Sequence, residues 1–187
     1  MQYDRLVIGY HGCHAKDAER LLGGEPFKPS TQPYDWLGRG SYFWEYGLDR
    51  AWQWATTDPK RRKAPAVVGA LIQLGGCFDL LDTYFTNLLA SMTATYVDKL
   101  RKAHKAIPLN LGKTRDLKGR YFDCAAINWT LAELERDGVV YQSVRGAFLE
   151  GTPVFKLGAV KSGILRQNHI QIAVRDPRCI VGVFRPR

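Results

Sequence analysis

Between Leu81 and Leu100 the apolar side chains Leu81, Phe85, Leu88, Leu89, Met92, Tyr96 and Leu100 recur at three- and four-residue steps. That period predicts an amphipathic helix, or a helical pair, within Leu80–Ala106, with one face against a core and a strongly basic C-terminal end. The runs on either side of it read differently. Arg5–Tyr10 is a short apolar run closed by His11-Gly12, which predicts a first strand ending in a turn. Lys16–Leu22 reads as a short helix stopped by Gly23-Gly24, and Glu25–Arg39, rich in Pro, Ser and Gly, as a loop. Asp49–Ala55 reads as a helix with Asp49 as its N-cap, Ala66–Leu74 as a buried strand, and Tyr121–Glu135 as a helix ended by Asp137-Gly138. Val139–Val144, His169–Val174 and Ile180–Phe184 read as strands. The order predicts an α+β domain with helices in the middle and strands at both ends. There is no internal repeat, low-complexity tract or linker, so residues 1–187 are expected to form a single domain. A chain of 187 residues buries roughly 70% of its unfolded surface, enough for a core without disulfide staples.

Charge and cysteine usage narrow the class. Twenty-seven Lys and Arg against eighteen Asp and Glu give a net charge of +9, a field that attracts nucleic acid, nucleotides or an acidic protein. Cys13, Cys77, Cys124 and Cys179 form no C-x-x-C pair, so neither a zinc ribbon nor a disulfide framework is expected. Four reduced thiols in a cytoplasmic protein are. No apolar run approaches the ~18 residues of a membrane span, and Met1-Gln2-Tyr3-Asp4-Arg5 lacks a secretory pattern, so no membrane association is expected. His11-Gly12-Cys13-His14 crowds its donors into one turn with no second ligand pair, and no metal is expected.

Three segments carry candidate chemistry. Tyr10-His11-Gly12 places an imidazole beside a glycine that permits close backbone approach. Gly38-Arg39-Gly40-Ser41-Tyr42-Phe43 turns tightly into an aromatic strand and offers Tyr42 as a stacking surface. In His169-Ile170-Gln171-Ile172-Ala173-Val174, alternation puts His169, Gln171 and Ala173 on one face, so Gln171 is either a satisfied core amide or a hydrogen-bonding group in a cleft. Taken singly, each has a structural alternative: a strand-end His, a packed glycine turn, a core amide.

Taken in order, they resemble the ADP-ribosyltransferases of the diphtheria-toxin and poly(ADP-ribose) polymerase branch, whose signature is His on a first strand, Tyr on a second and usually Glu on a later one. Tyr10-His11-Gly12 is similar to the H-G element and Gly38–Phe43 to the G-x-G-x-Y-F element. Asn168–Asp176 is similar to the strand that carries the glutamate, with Gln171 at that position. The resemblance covers both ends of the chain and little of its middle. It implies a split two-sheet fold with NAD bound as substrate between two small sheets, and catalytic roles for His11, Tyr42 and Gln171. His11 would hold a ribose hydroxyl, the Gly12 backbone the carboxamide, and Tyr42 the nicotinamide ring, with Ser41 also at the cofactor. A second aromatic closes the other face of the ring, and Trp52 or Trp54 is the candidate. Helical geometry puts these two on different faces, so at most one lines the cleft and the other is expected in the core. The glycosidic bond breaks through an oxocarbenium-like state, so the protein positions groups and stabilises charge.

Gln171 departs from the family pattern. It keeps a hydrogen-bonding carbonyl but carries no charge and is no base at neutral pH. The resemblance therefore implies transfer of a single ADP-ribose unit rather than chain elongation. Glu45 and Glu150 are the candidate surrogate acids, each with the alternative of a solvated surface residue.

The fourth feature is the basic stretch Lys99, Arg101, Lys102, Lys105, Lys113, Arg115, Lys118 and Arg120, interrupted by one acid, Asp116. It reads either as a solvated face or as a rail for nucleic-acid phosphates, with Tyr121 and Phe122 as base-stacking groups. The functional expectation is a mono-ADP-ribosyltransferase acting on nucleic acid, RNA before DNA or protein. Compact members of this kind act as toxins or defence effectors with a neutralising antitoxin partner. The alternatives are an NAD glycohydrolase and a catalytically inactive basic nucleic-acid-binding domain.

Overall fold

The computed structural model describes residues 5–112 and 119–187. Strand β1 (Leu6–His14) leads into helix α1 (Ala15–Leu22), then β2 (Ser41–Glu45), α2 (Leu48–Thr57), β3 (Pro65–Gln73), β4 (Cys77–Asp79) and the long α3 (Thr83–Lys102). After α4 (Tyr121–Arg136) come β5 (Ser143–Phe148), a short hairpin of β6 (Lys156–Leu157) and β7 (Val160–Lys161), β8 (His169–Val174) and β9 (Ile180–Phe184). Among the described residues the larger sheet has seven strands in the order β4-β5-β8-β2-β1-β3-β9. The architecture is α+β, with strands at both ends of the chain and the long helices between.

Alternation along the strands builds two cores on the two faces of this sheet. On one face Phe43, Val68, Ala70, Ile72 and Ile172 pack with Ala18 and Leu21 of α1 and with Phe27. On the other, Phe78, Val144 and Ala173 pack against Phe85 of α3 and Ile127 and Leu131 of α4. Phe43, Phe78 and Phe85 are fully buried, each contributing about 1.5–3 kcal/mol relative to exposure. All four cysteines are buried and free, and burial pushes the Cys13 and Cys77 thiols up to about 11. No helix among the described residues is long and apolar enough to cross a membrane.

Several local readings are corrected by long-range pairing. The first strand does not end at His11-Gly12. β1 pairs with β3 residue by residue to His14↔Pro65, and His14 caps α1 by accepting from the Lys16 N–H at 3.2 Å. Gly12 serves helix packing, since a Cβ there would lie 2.4 Å from the Ala51 carbonyl oxygen on α2. Helix α2 starts from Gly47 without a side-chain cap, and Asp49 sits in its first turn. The amphipathic stretch is one helix, α3, rather than a pair. The strand expected at Val139–Val144 begins at Ser143, because Val139 and Val140 stay exposed. Its Arg145 is buried between Glu45, at 2.5 and 2.9 Å, and Asp79, at 3.0 Å. The two small sheets implied by the resemblance are one hydrogen-bonded sheet, whose halves meet where β1 and β2 pair through Gly9↔Glu45 and Tyr10↔Trp44.

Candidate active site

Beyond Tyr10↔Trp44 the two central strands part: β1 continues on β3, and β2 continues on β8. A cleft of about 680 Å³ opens at this parting, within the range of small-molecule sites. His11 from β1, Tyr42 and Trp44 from β2, and Gln171 from β8 line it. The loop after α1 adds Asp35 and Trp36, and Trp54 and Arg61 close it from α2 and the turn that follows. Three segments far apart in sequence thus converge because β2 lies between β1 and β8.

His11 bridges the parting, its Nδ1 2.8 Å from the Tyr42 carbonyl oxygen. A carbonyl only accepts, so Nδ1 carries the proton and the neutral ring keeps its Nε2 lone pair for a ligand. Burial holds the His11 pKa below its ordinary 6.5, opposed in part by the Tyr42 carbonyl. The ring packs edge-on to Phe27 at 5.4 Å. The phenol of Tyr42 is tied down at both lone pair and proton: it accepts from the Leu37 N–H at 3.0 Å and donates to the Gly38 carbonyl at 2.7 Å. Burial raises its pKa well above 10, so the group stays neutral and the anchored ring is a flat wall. Gly38, at φ 76°, makes the turn that delivers its carbonyl to the phenol.

Gln171 is held by the indole of Trp36, whose Nε1–H donates to Oε1 at 2.5 Å. An indole N–H only donates, so the amide orientation is fixed and the NH2 end is left to donate. Trp36 in turn lies over Gly146, where a Cβ would come within 2.9 Å of the indole, and packs on Phe148 at 4.9 Å. Trp44, the cross-strand partner of Gln171, meets Trp54 at 5.5 Å, and the Arg61 guanidinium sits 4.0 Å above the Trp54 ring while pairing with Asp58 at 2.9 Å. Lys28 and Lys60 stand at the exposed rim. Aromatic walls, a neutral acceptor and a cationic rim suit a ligand with a planar ring, hydroxyls and phosphates.

The structure separates the remaining candidates. Trp54 lines the cleft; Trp52, 47% exposed, is not in the core as expected but borders a shallow groove with Leu48, Val67 and Pro186. Ser41 is buried on the face opposite Tyr42, and Gly12 lies beneath α2. Neither Glu45 nor Glu150 lines the cleft, and neither is a solvated surface group: Glu45 is spent on Arg145, and Glu150 pairs with Arg50 at 2.5 Å. Behind Trp44, His169 donates from Nδ1 to the Gln167 carbonyl at 2.7 Å, and burial lowers its pKa.

Two cleft carboxyls, Asp35 and the Arg61-paired Asp58, were not singled out from the sequence. Asp35 accepts from the Gln32 N–H at 3.1 Å, and burial raises its pKa. Its sequence signal is an acid between two aromatics, Tyr34-Asp35-Trp36, in the loop before the glycine turn. Of the basic stretch, Lys99, Arg101, Lys102 and Lys105 are exposed at the end of α3 or just beyond it. Lys99 pairs with Glu133 at 3.4 Å and covers Trp129, and Arg101 meets Asp98 at 3.5 Å. Arg120 is half-buried, pairs with Asp123 at 2.9 Å and lies over Phe148 at 5.1 Å. Lys113, Arg115 and Lys118 lie outside the described residues. Among the described residues no cluster of His, Cys, Asp and Glu could hold a metal ion. No protein-family model, curated protein or solved structure matches the chain.

Proposed function

We propose that the protein cleaves NAD at the bond between ribose and nicotinamide and transfers one ADP-ribose unit to a macromolecular acceptor, a nucleic acid and RNA first. The observation that carries this reading is the convergence of His11, Tyr42 and Gln171 from three strands on one cleft walled by Trp44 and Trp54. In this reading nicotinamide stacks on the anchored Tyr42 ring with Trp54 opposite. His11 Nε2 accepts from a ribose hydroxyl, the Gln171 NH2 donates to a ribose oxygen, and Lys28 and Lys60 face the pyrophosphate.

The glycosidic bonding electrons leave with nicotinamide, which departs neutral, and the positive charge passes to the ribose. The acceptor hydroxyl or amine bonds to that carbon and gives up its proton. Asp35, the cleft carboxyl with no ion pair among the described residues, stabilises the cation and takes the proton. A nucleic-acid acceptor is supported by the edge of the cleft, where Tyr121 meets Tyr34 at 5.9 Å and Arg120 covers Phe148. The absence of Glu45 and Glu150 from the cleft lining favours one second reading, an NAD glycohydrolase in which water is the acceptor.

Incubation with labelled NAD and separate pools of RNA, DNA and protein tests the proposal. Label on RNA is the expected result. Free ADP-ribose moves the assignment to the glycohydrolase, and unconsumed NAD leaves a basic nucleic-acid-binding domain. His11→Ala and Tyr42→Ala should each abolish turnover with the fold retained; wild-type turnover in either folded variant overturns the site.

A further inference from the structure

Between β5 and β8 the chain leaves the body as an arm. Val154 N–H bonds Ile164 O at 2.9 Å, Ser162 N–H bonds Phe155 O at 3.0 Å, and Lys156↔Lys161 and Leu157↔Val160 complete the ladder. Gly158, at φ 58°, turns the tip in a conformation that suits glycine. The base is fixed: Gln167 N–H bonds Glu150 O at 3.1 Å, and the Glu150 carboxylate holds Arg50 of α2. Beyond the base the apolar side chains stand in solvent: Leu157 is 72% exposed, Val160 62% and Ile164 66%.

Two features mark this arm as incomplete by itself. Among the described residues β6 and β7 form a two-stranded sheet with no third strand, and an isolated hairpin of that size is marginal in water. Lys156 stands directly opposite Lys161, a like-charge pair that opposes the pairing. The sequence supplies no relief, because no Asp or Glu occurs from Gly151 to Asn168. Alternation places the two lysines on one face of the hairpin and Leu157, Val160 and Phe155 on the other. A strand added to an open edge would therefore meet cations on one side and aliphatic groups on the other.

We propose that the arm docks an extended segment of a partner protein in which acidic and apolar residues alternate, added as a third strand. Main-chain bonds to the open edge provide the attachment, carboxylates neutralise the Lys156–Lys161 rung, and aliphatic side chains cover Leu157 and Val160. The alternation distinguishes this partner from a lipid surface, which would meet the apolar tip end-on, and from RNA, which would leave the aliphatic face bare.

The test uses the full-length protein and three labelled dodecapeptides alternating Val with Glu, Val with Lys and Ser with Glu, followed by fluorescence anisotropy. The Val–Glu peptide should bind at least ten-fold more tightly than either of the others and should protect arm amides from hydrogen exchange. Lys156→Glu/Lys161→Glu should reverse the preference toward the Val–Lys peptide, and Leu157→Ser/Val160→Ser should weaken Val–Glu binding at least ten-fold. All four positions are exposed, so thermal melts should match wild type. Equal binding of the three peptides, or binding indifferent to the arm variants, overturns the proposal. So does arm-dependent binding to phosphatidylserine vesicles or to polyuridylate in the absence of peptide binding.

Discussion

The Trp36–Gln171 pair offers the sharpest test of how the cleft is organised. Trp36→Phe keeps an aromatic ring against Gly146 and Phe148 but removes the N–H that holds the amide at 2.5 Å. A neutral hydrogen bond is worth a net ~0.5–1.5 kcal/mol. If that energy serves to orient Gln171 in the transition state, kcat/KM for nicotinamide release falls by roughly two- to ten-fold. Gln171→Ala removes the same bond and the amide donor as well, and leaves the indole N–H without its partner, a cost of about 1–3 kcal/mol. Its loss should be larger, on the order of 5- to 150-fold. The double variant should then be no worse than Gln171→Ala, because the indole has nothing left to orient. Residues in direct contact couple, whereas independent sites add within about 0.3–0.5 kcal/mol. Initial rates of nicotinamide release, with thermal melts as the folding control, give all four corners of the cycle. Strict additivity would refute the claim that Trp36 acts through Gln171, and wild-type rates in both single variants would remove Gln171 from the site.

Gly12→Ala pushes a methyl toward the Ala51 carbonyl, 2.4 Å from the ideal Cβ, and against Trp54 at 3.2 Å. It should destabilise by roughly 1–3 kcal/mol, at about 2–4 °C in Tm per kcal/mol, and raise the KM for NAD as α2 shifts. Because burial lowers the His11 pKa, the stability tied to its neutral ring is intact above 6.5. It declines as the pH falls from 6.5 to the lowered folded value and levels off below it, with NAD turnover failing around that folded value, where the ring itself takes up a proton. An acid limb centred above 6.5, or one abolished by Asp35→Asn, would assign it to another group. Charge reversal of Lys102 and Lys105 should flatten the log–log salt dependence of RNA binding by about one unit per lost phosphate contact without changing NAD affinity. An unchanged slope returns these lysines to a solvated face.

What could be read from the sequence was local. His169–Val174 and Ile180–Phe184 were found at their observed bounds because apolar alternation and turn residues delimit them. Gly12 misled, since glycine at the end of an apolar run reads as a stop. Only the contact with Ala51, 39 positions later in the chain, gives it a packing reason inside a strand. Cys77–Asp79 was invisible because three residues have no period, and it is a strand by virtue of its parallel pairing with Ser143–Arg145. Trp52 and Trp54 could be placed on different helix faces, but which face meets the cleft depends on how α2 sits on β1. Glu45 and Glu150 were candidates by position in sequence. Their arginine partners, each 100 positions away, are what turn them from the cleft.

The cleft follows from the weakest seam of the sheet. β1 and β3 pair along nine residues, whereas β1 and β2 pair through two. At that seam a Cβ on Gly9 would lie 2.7 Å from Ile72 and 2.8 Å from Phe43, so the strand meets its neighbours there without a side chain. Past Tyr10 the contact from His11 Nδ1 to the Tyr42 carbonyl takes over the role of a ladder bond. One imidazole therefore holds the two halves of the sheet together through one nitrogen and offers the other to the space between them. Phe43, Ile72 and Ile172, packed in one core, brace the strands on either side of this seam. Carried on strands rather than loops, these cleft side chains are preorganised by the fold itself, and a replacement at Gln171 that still accepts the Trp36 N–H should leave the surrounding architecture in place. Glutamine and glutamate both meet that requirement.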